Sequence, residues 1–133
     1  MDKNELLKIA KKARESAYAP YSDFCVGADL LCADGEIYTG CNIENASFSP
    51  TCCAERTAIF KAVSDGKRKF SAIAIVGGKK DTENLSHCYP CGVCRQVISE
   101  FCGDDFLIIT ENDSRAESIE FGDILPKRFQ IKN

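Results

Sequence analysis

Phe24-Cys25-Val26-Gly27-Ala28-Asp29-Leu30-Leu31-Cys32-Ala33-Asp34-Gly35 is the stretch from which the fold is read. Phe24, Val26, Ala28 and Leu30 occupy alternate positions, and residues two apart share one face of a strand. Asp34-Gly35 is a strong hairpin turn. Glu36 to Ile43 should therefore return antiparallel to the run Phe24 to Ala33.

Upstream, Leu6, Ile9, Ala10, Ala13 and Ala17 recur at helical spacing. Asp2 and Glu5 can act as a capping pair, and Pro20 stops the helix. Downstream, a helix is expected from about Cys53 to Val63, ended by Asp65-Gly66. Ser71 to Val76, with Ile73, Ile75 and Val76, reads as a buried strand. The polar stretch Gly77 to Tyr89 reads as a loop. Cys91 to Phe101 reads as a helix ended near Gly103, and Phe106 to Thr110 as another buried strand. A short helical turn near Phe121 to Leu125 stops at Pro126. The order is α-β-β-α-β-α-β, followed by a weakly patterned tail. Strands separated by helices pair in parallel, so an α/β sheet that begins with a hairpin is predicted.

The 133 residues suit one domain, 1–133, and show no internal repeat or linker. A net charge of −3 with no basic stripe argues against a polynucleotide partner and for a small, neutral or weakly charged one. No window offers about 18 uncharged apolar residues, so no membrane span is expected. Met1-Asp2-Lys3-Asn4-Glu5 has no apolar signal core, and a cytoplasmic location is expected. Nine cysteines, an odd number, in a reducing compartment point to metal binding or catalysis rather than disulfides.

Two segments carry the chemistry: Thr51-Cys52-Cys53-Ala54-Glu55-Arg56 and Pro90-Cys91-Gly92-Val93-Cys94-Arg95-Gln96. Cys91 and Cys94, three apart near a helix start, present both sulfurs on one face. A helix N-terminus also favours thiolate over thiol. Cys53 stands at another helix start, with Glu55 in the same turn. If both helix starts aim at one ion, three cysteines leave the fourth tetrahedral position open, as in catalytic zinc sites. From spacing alone Cys52 is as good a ligand as Cys53. A closed structural site would need a fourth ligand, for which Cys52, Cys88 and His87, the only histidine, are the candidates. Cys88-x-x-Cys91-x-x-Cys94 also matches part of an iron–sulfur run, but its C-x-x-x-C-P ending is missing. Cys25, Cys32, Cys41 and Cys102 read as small structural residues.

Cys53-Ala54-Glu55 followed by Pro90-Cys91-x-x-Cys94 resembles the cytidine deaminase signature in its three-cysteine form. The resemblance extends through Tyr18-Ala19-Pro20-Tyr21-Ser22, Phe24-x-Val26-Gly27-Ala28, Gly40-Cys41-Asn42-Ile43-Glu44-Asn45-Ala46 and Arg95-Gln96-Val97, and so covers the chain from Tyr18 to Leu125-Pro126. It implies a three-layer α/β/α sandwich on a mixed five-stranded sheet and a homotetramer with shared active sites. It also implies one Zn²⁺ per chain on Cys53, Cys91 and Cys94, and the register of Cys-Ala-Glu selects Cys53 over Cys52. The implied reaction is hydrolytic removal of the amine from cytidine or deoxycytidine. In it Glu55 would take a proton from water, deliver it to N3 and then help protonate the departing amine.

The resemblance gives further residues roles that their positions alone would not. Glu55 could be a first-turn acid that suits the helix dipole. Asn42 and Glu44 could be turn residues, Phe24 core, and Arg56 surface decoration. The resemblance instead places Asn42 and Glu44 on the ribose, chiefly its 3′-hydroxyl, Phe24 against the base and the Ala54 N–H on the base carbonyl. Phe129 would close a neighbouring subunit's pocket. Arg56 would donate to the thiolates, offsetting the net charge of about −1 that three thiolates leave on Zn²⁺. Two features depart from the family pattern: Phe48, where tyrosine is common, and a longer stretch around Lys79 to Asn84. A deaminase of a nucleoside antibiotic such as blasticidin S, and a non-catalytic zinc-stapled binding module, are the rival readings. The Asn42-x-Glu44 pair opposes the first; Glu55 and the open coordination position oppose the second.

Overall fold

The computed structural model describes residues 1–83 and 85–131. In chain order the elements are α1 (Lys3–Arg14), β1 (Phe24–Cys32), β2 (Ile37–Cys41), α2 (Ala54–Ser64), β3 (Phe70–Lys79), α3 (Gly92–Phe101), β4 (Leu107–Asn112), β5 (Arg115–Glu120) and the one-turn α4 (Phe121–Ile124). The five strands form one sheet in the order β2-β1-β3-β4-β5. β1 is antiparallel to both β2 and β3, β3 runs parallel to β4, and β4 is antiparallel to β5. α3 lies in the β3-to-β4 connection, because parallel neighbours need a crossover that a tight turn cannot supply.

The hairpin forms where Asp34-Gly35 places it. Gly35 has φ 94°, and its N–H donates to the Cys32 carbonyl at 3.0 Å. Asp34 Oδ1 accepts the Glu36 N–H at 3.0 Å, closing the turn from the side chain. On β1, Ala28, Leu30 and Cys32 all enter one core, as the alternation requires.

Both faces of the sheet are covered. On one, Leu6, Leu7 and Ala10 of α1 pack on Ala72, Ala74, Val76 and Ile109. On the other, Ala54, Ala58, Ile59 and Ala62 of α2 and Ile98 of α3 pack on Ala28, Leu30, Ile73, Ile75 and Ile108. This is the three-layer α/β/α arrangement. Two glycines permit the close approach. A Cβ on Gly27 would stand 2.1 Å from the Ala10 carbonyl oxygen, and one on Gly40 would stand 2.4 Å from that of Ala54. Gly40 thus seats the first turn of α2 directly on β2.

Four sequence expectations change. α1 ends at Arg14, short of Ala17, because the Arg14 guanidinium is committed to the Cys25 and Gly78 carbonyls at 3.0 Å. Tyr18 then donates its N–H to the Asn42 carbonyl at 3.0 Å, which a continuing helix would forbid. Asp2 is the N-cap of α1 by position, but its side chain makes no capping bond, so the Asp2–Glu5 pair is not formed. β3 runs on to Lys79, three residues past Val76, because Phe24 pairs with Lys79 at the far end of β1. The tail contains β5, a strand that the pattern did not reveal. Asn84, at the end of the longer stretch, lies outside the described residues. Among the described residues, no helix is long and apolar enough to cross a membrane.

Candidate metal and catalytic site

The starts of α2 and α3 meet at one side of the sheet. Cys53 is the N-cap of α2 and Cys91 the N-cap of α3, both with extended backbones. Their carbonyls accept the first helical bonds, from Thr57 N–H at 3.1 Å and Arg95 N–H at 2.9 Å. Neither sulfur is used as a cap, so both are free to face the same space. Cys94, one turn into α3, is fully buried.

The Sγ atoms of Cys53, Cys91 and Cys94 all lie within 4.8 Å of one another, and the Cys53–Cys91 separation is 3.8 Å. A tetrahedral Zn²⁺ with Zn–S bonds of about 2.3 Å requires sulfurs about 3.8 Å apart. The donor set therefore fits zinc in both chemistry and spacing. Cys52, Cys88 and His87 do not join this group. Cys52 Sγ instead accepts the Thr57 hydroxyl at 3.6 Å. His87 Nδ1 lies 3.2 Å from Thr110 Oγ1, its Nε2 lies 3.3 Å from Glu117, and its ring stacks on Tyr89.

Electrostatics favours a thiolate at Cys53. Hydrogen bonds from Cys94, Arg56 and Cys91 push the Cys53 thiol down to about 5, against the opposing effect of burial. The same pairing with Cys53, together with burial, pushes the Cys94 thiol up. Arg56 Nη2 donates to Cys53 Sγ at 3.5 Å and to the Thr51 carbonyl at 3.3 Å. The arginine is thus a partner of the sulfurs rather than decoration. Glu55 follows in the first turn of α2, with only 4 % of its surface exposed. Burial pushes its carboxyl up to about 7, and the Cys53 charge adds to that. Burial chiefly raises the Cys88 thiol, and the Glu55 charge adds to the rise both there and at Cys94, so the carboxyl acts within reach of the sulfur group.

The other predicted residues are placed as follows. Ala54 is fully buried at the first helical position of α2, where N–H groups lack intrahelical partners. The Phe24 ring and the Cys88 sulfur both crowd Gly77, each 2.9 Å from where its Cβ would stand. Asn42 commits one acceptor and one of its two donors to β1: Oδ1 accepts the Val26 N–H and Nδ2 donates to the Phe24 carbonyl, both at 2.8 Å. Glu44 accepts the Tyr21 N–H at 2.9 Å, the Ser22 N–H at 3.2 Å and the Ser22 hydroxyl. These bonds, the hydroxyl's foremost, hold its carboxyl below the usual range. Glu44 borders a cavity of about 220 Å³ shared with Tyr21, Ser22, Asn45, Phe48 and Thr51. Phe129 is 69 % exposed, with its carbonyl held by Gln96 Nε2 at 3.0 Å. The sequence reading gave Ser22 no role; its place in the Tyr18–Ser22 motif was the available signal.

Two helix N-termini converging three cysteines beside a buried glutamate, on a mixed sheet between helix layers, define the class of zinc-dependent base deaminases. Residues 1–110 match the family model described as the cytidine and deoxycytidylate deaminase zinc-binding region. The cytidine deaminase of Sporosarcina psychrophila is 52% identical over 130 residues, 97% of this chain and 92% of that one. That of Halalkalibacterium halodurans is 47% identical over 134 residues, 100% of this chain and 98% of that one. The crystal structure of cytidine deaminase from Burkholderia pseudomallei superposes with a TM-score of 0.87 at 43% identity, covering 97% of this chain and 100% of that one. The chain belongs to the cytidine deaminase family of hydrolytic deaminases.

Proposed function

We propose that this enzyme converts cytidine and deoxycytidine to uridine and deoxyuridine with release of ammonia, a pyrimidine-salvage reaction, using one Zn²⁺ per chain. The observation that carries this reading is the three-sulfur group with Glu55 buried beside it. Cys53, Cys91 and Cys94 hold the ion, which when bound lowers the pKa of a water ligand from about 15.7 toward 7.

The chain's own residues supply the rest. Glu55 accepts a proton as the water oxygen bonds to C4 and delivers it to N3. It then takes the remaining proton from the new C4 hydroxyl and passes it to the exocyclic nitrogen as the C4–N bond breaks and the C4 carbonyl forms, so water and cytidine become uridine and ammonia. The Ala54 N–H binds the base carbonyl, where an orphan N–H at a helix start suits a partial negative charge. Phe24 lies against the base. Asn42 and Glu44 bind the sugar. Arg56 withdraws charge from the thiolates, whose excess would oppose ionisation of the water.

Residues 1–133 act as one catalytic domain in the cytoplasm, as a homotetramer in which Phe129 of one subunit closes its neighbour's pocket. The exposure of Phe129 and of Phe48, at 69 % and 78 %, supports a covered face in the assembly. Zinc analysis and a cytidine absorbance assay on one preparation test the reading. About one zinc per chain with turnover is expected, and zinc without turnover of cytidine would overturn it. Blasticidin S assayed in parallel separates the antibiotic-deaminase alternative. Light scattering at assay concentration tests the tetramer, and a fully active monomer contradicts the shared pocket.

A further inference from the structure

We propose that Ser22 is a positioning residue for the sugar, its hydroxyl fixing the Glu44 carboxylate with one acceptor site free for a sugar hydroxyl. The proposal rests on the reading that Glu44 binds the ribose.

A carboxylate offers about four acceptor sites. Three on Glu44 are taken, two by the Tyr21 and Ser22 N–H groups at Oε1 and one by the Ser22 hydroxyl at Oε2. The site left belongs to Oε2, the oxygen whose direction the Ser22 hydroxyl sets. The bonds from Ser22 also keep Glu44 ionised, hence acceptor-only, which matches a donating sugar hydroxyl. The same Ser22 Oγ accepts the Phe24 N–H at 3.0 Å. One hydroxyl therefore links the residue at the sugar to the residue at the base.

Ser22 is itself held from both sides. Lys79 Nζ donates to its carbonyl at 3.0 Å. The next residue, Asp23, has φ 61°, and is locked by its N–H to the Ala19 carbonyl at 3.0 Å and by its carbonyl to the Lys80 N–H at 2.9 Å. The hydroxyl is thereby presented at the rim of the cavity of about 220 Å³ that Glu44 and Thr51 also line. A side chain that only filled the turn would not need an acceptor on one partner and a donor to the other.

Kinetics of the zinc-loaded enzyme with two substrates test this. In Ser22→Ala, KM for cytidine should rise about tenfold, the worth of a hydrogen bond to a charged group, with kcat within about threefold. With 3′-deoxycytidine, which lacks the hydroxyl that Glu44 would accept, Ser22→Ala and the parent should agree within about twofold. Ser22→Thr, which keeps the hydroxyl, should restore most of the cytidine KM. Uridine affinity by calorimetry should follow the KM pattern. Equal losses on both substrates, no loss on either, or a Ser22→Thr enzyme as impaired as Ser22→Ala would overturn the proposal. Glu44→Gln separates the two layers. An unchanged cytidine KM in Glu44→Gln removes the sugar reading itself. A raised KM there beside an unaffected Ser22→Ala enzyme removes only the role of Ser22.

Discussion

At the scale of single residues, Glu55 decides between an enzyme and a metal-stapled fold. Glu55→Gln keeps the volume and most of the hydrogen-bonding capacity but cannot accept and return a proton. Zinc should stay near one per chain, since the three sulfurs are untouched. Turnover of cytidine should fall by at least about 10²–10⁴, the usual worth of general acid–base catalysis. Loss of a first-turn acid alone would cost about 0.3–1 kcal/mol of helix stability and leave the rate nearly intact. Zinc content and turnover measured on one preparation distinguish these outcomes. The three-sulfur group was legible because helix-start cysteines three apart face one side, and because the Cys-Ala-Glu register chose Cys53 over Cys52. The use of the Asn42 amide on Phe24 and Val26 was not legible, since those bonds join residues 16 and 18 positions apart. Only the pairing of β1 with β2 brings them together.

At the scale of elements, the site depends on how closely α2 lies on β2. A methyl group on Gly40 would press on the Ala54 carbonyl oxygen at 2.4 Å, the Ala58 nitrogen at 2.6 Å and the Thr57 Cβ at 3.1 Å. All three contacts lie in the first turns of the helix that carries Cys53 and Glu55. Gly40→Ala should therefore lower thermal stability, by the 1–3 kcal/mol typical of overpacking or more, and weaken zinc binding with it. A variant with the parent's melting temperature and zinc affinity would show that the helix can shift without cost. The elements themselves were legible to different degrees. β1, β3 and β4 are buried and apolar, so period and composition reveal them. β5, Arg115-Ala116-Glu117-Ser118-Ile119-Glu120, is a sheet edge with mostly polar residues, and only Ala116 and Ile119 are half-buried. Its hairpin turns through Asp113 and Ser114, both at positive φ, without the glycine that marks such turns. A polar edge resists unwanted pairing with other chains, and the same composition hides it from a hydrophobic pattern.

At the scale of the whole molecule, a group inside the sheet makes stability depend on pH. Asp29 lies mid-strand in β1, fully buried, and neither carboxyl oxygen has a hydrogen-bond partner among the described residues. It pairs with Thr39 on β2 and Ala74 on β3, and no charged side chain contributes to its shift. Burial alone pushes its carboxyl from 3.8 up to about 7. The unfolded chain thus loses this proton near pH 4, while the folded chain keeps it until about pH 7. Between those values the folded state binds the extra proton, so its stability falls as pH rises, and the loss is complete above about pH 7. At about 1.4 kcal/mol for each pH unit, the total is about 4 kcal/mol. Asp29→Asn places an amide of the same shape in the same place, with a burial cost that does not change with pH. Denaturant unfolding at constant zinc should show the parent losing stability relative to Asp29→Asn steadily from pH 4 to pH 7, with the variant the more stable at pH 8. Parallel stability curves for the two proteins across that range would mean that Asp29 finds a proton donor or water in solution. In that case the carboxylate would be accommodated in the core without the cost its unpartnered oxygens imply.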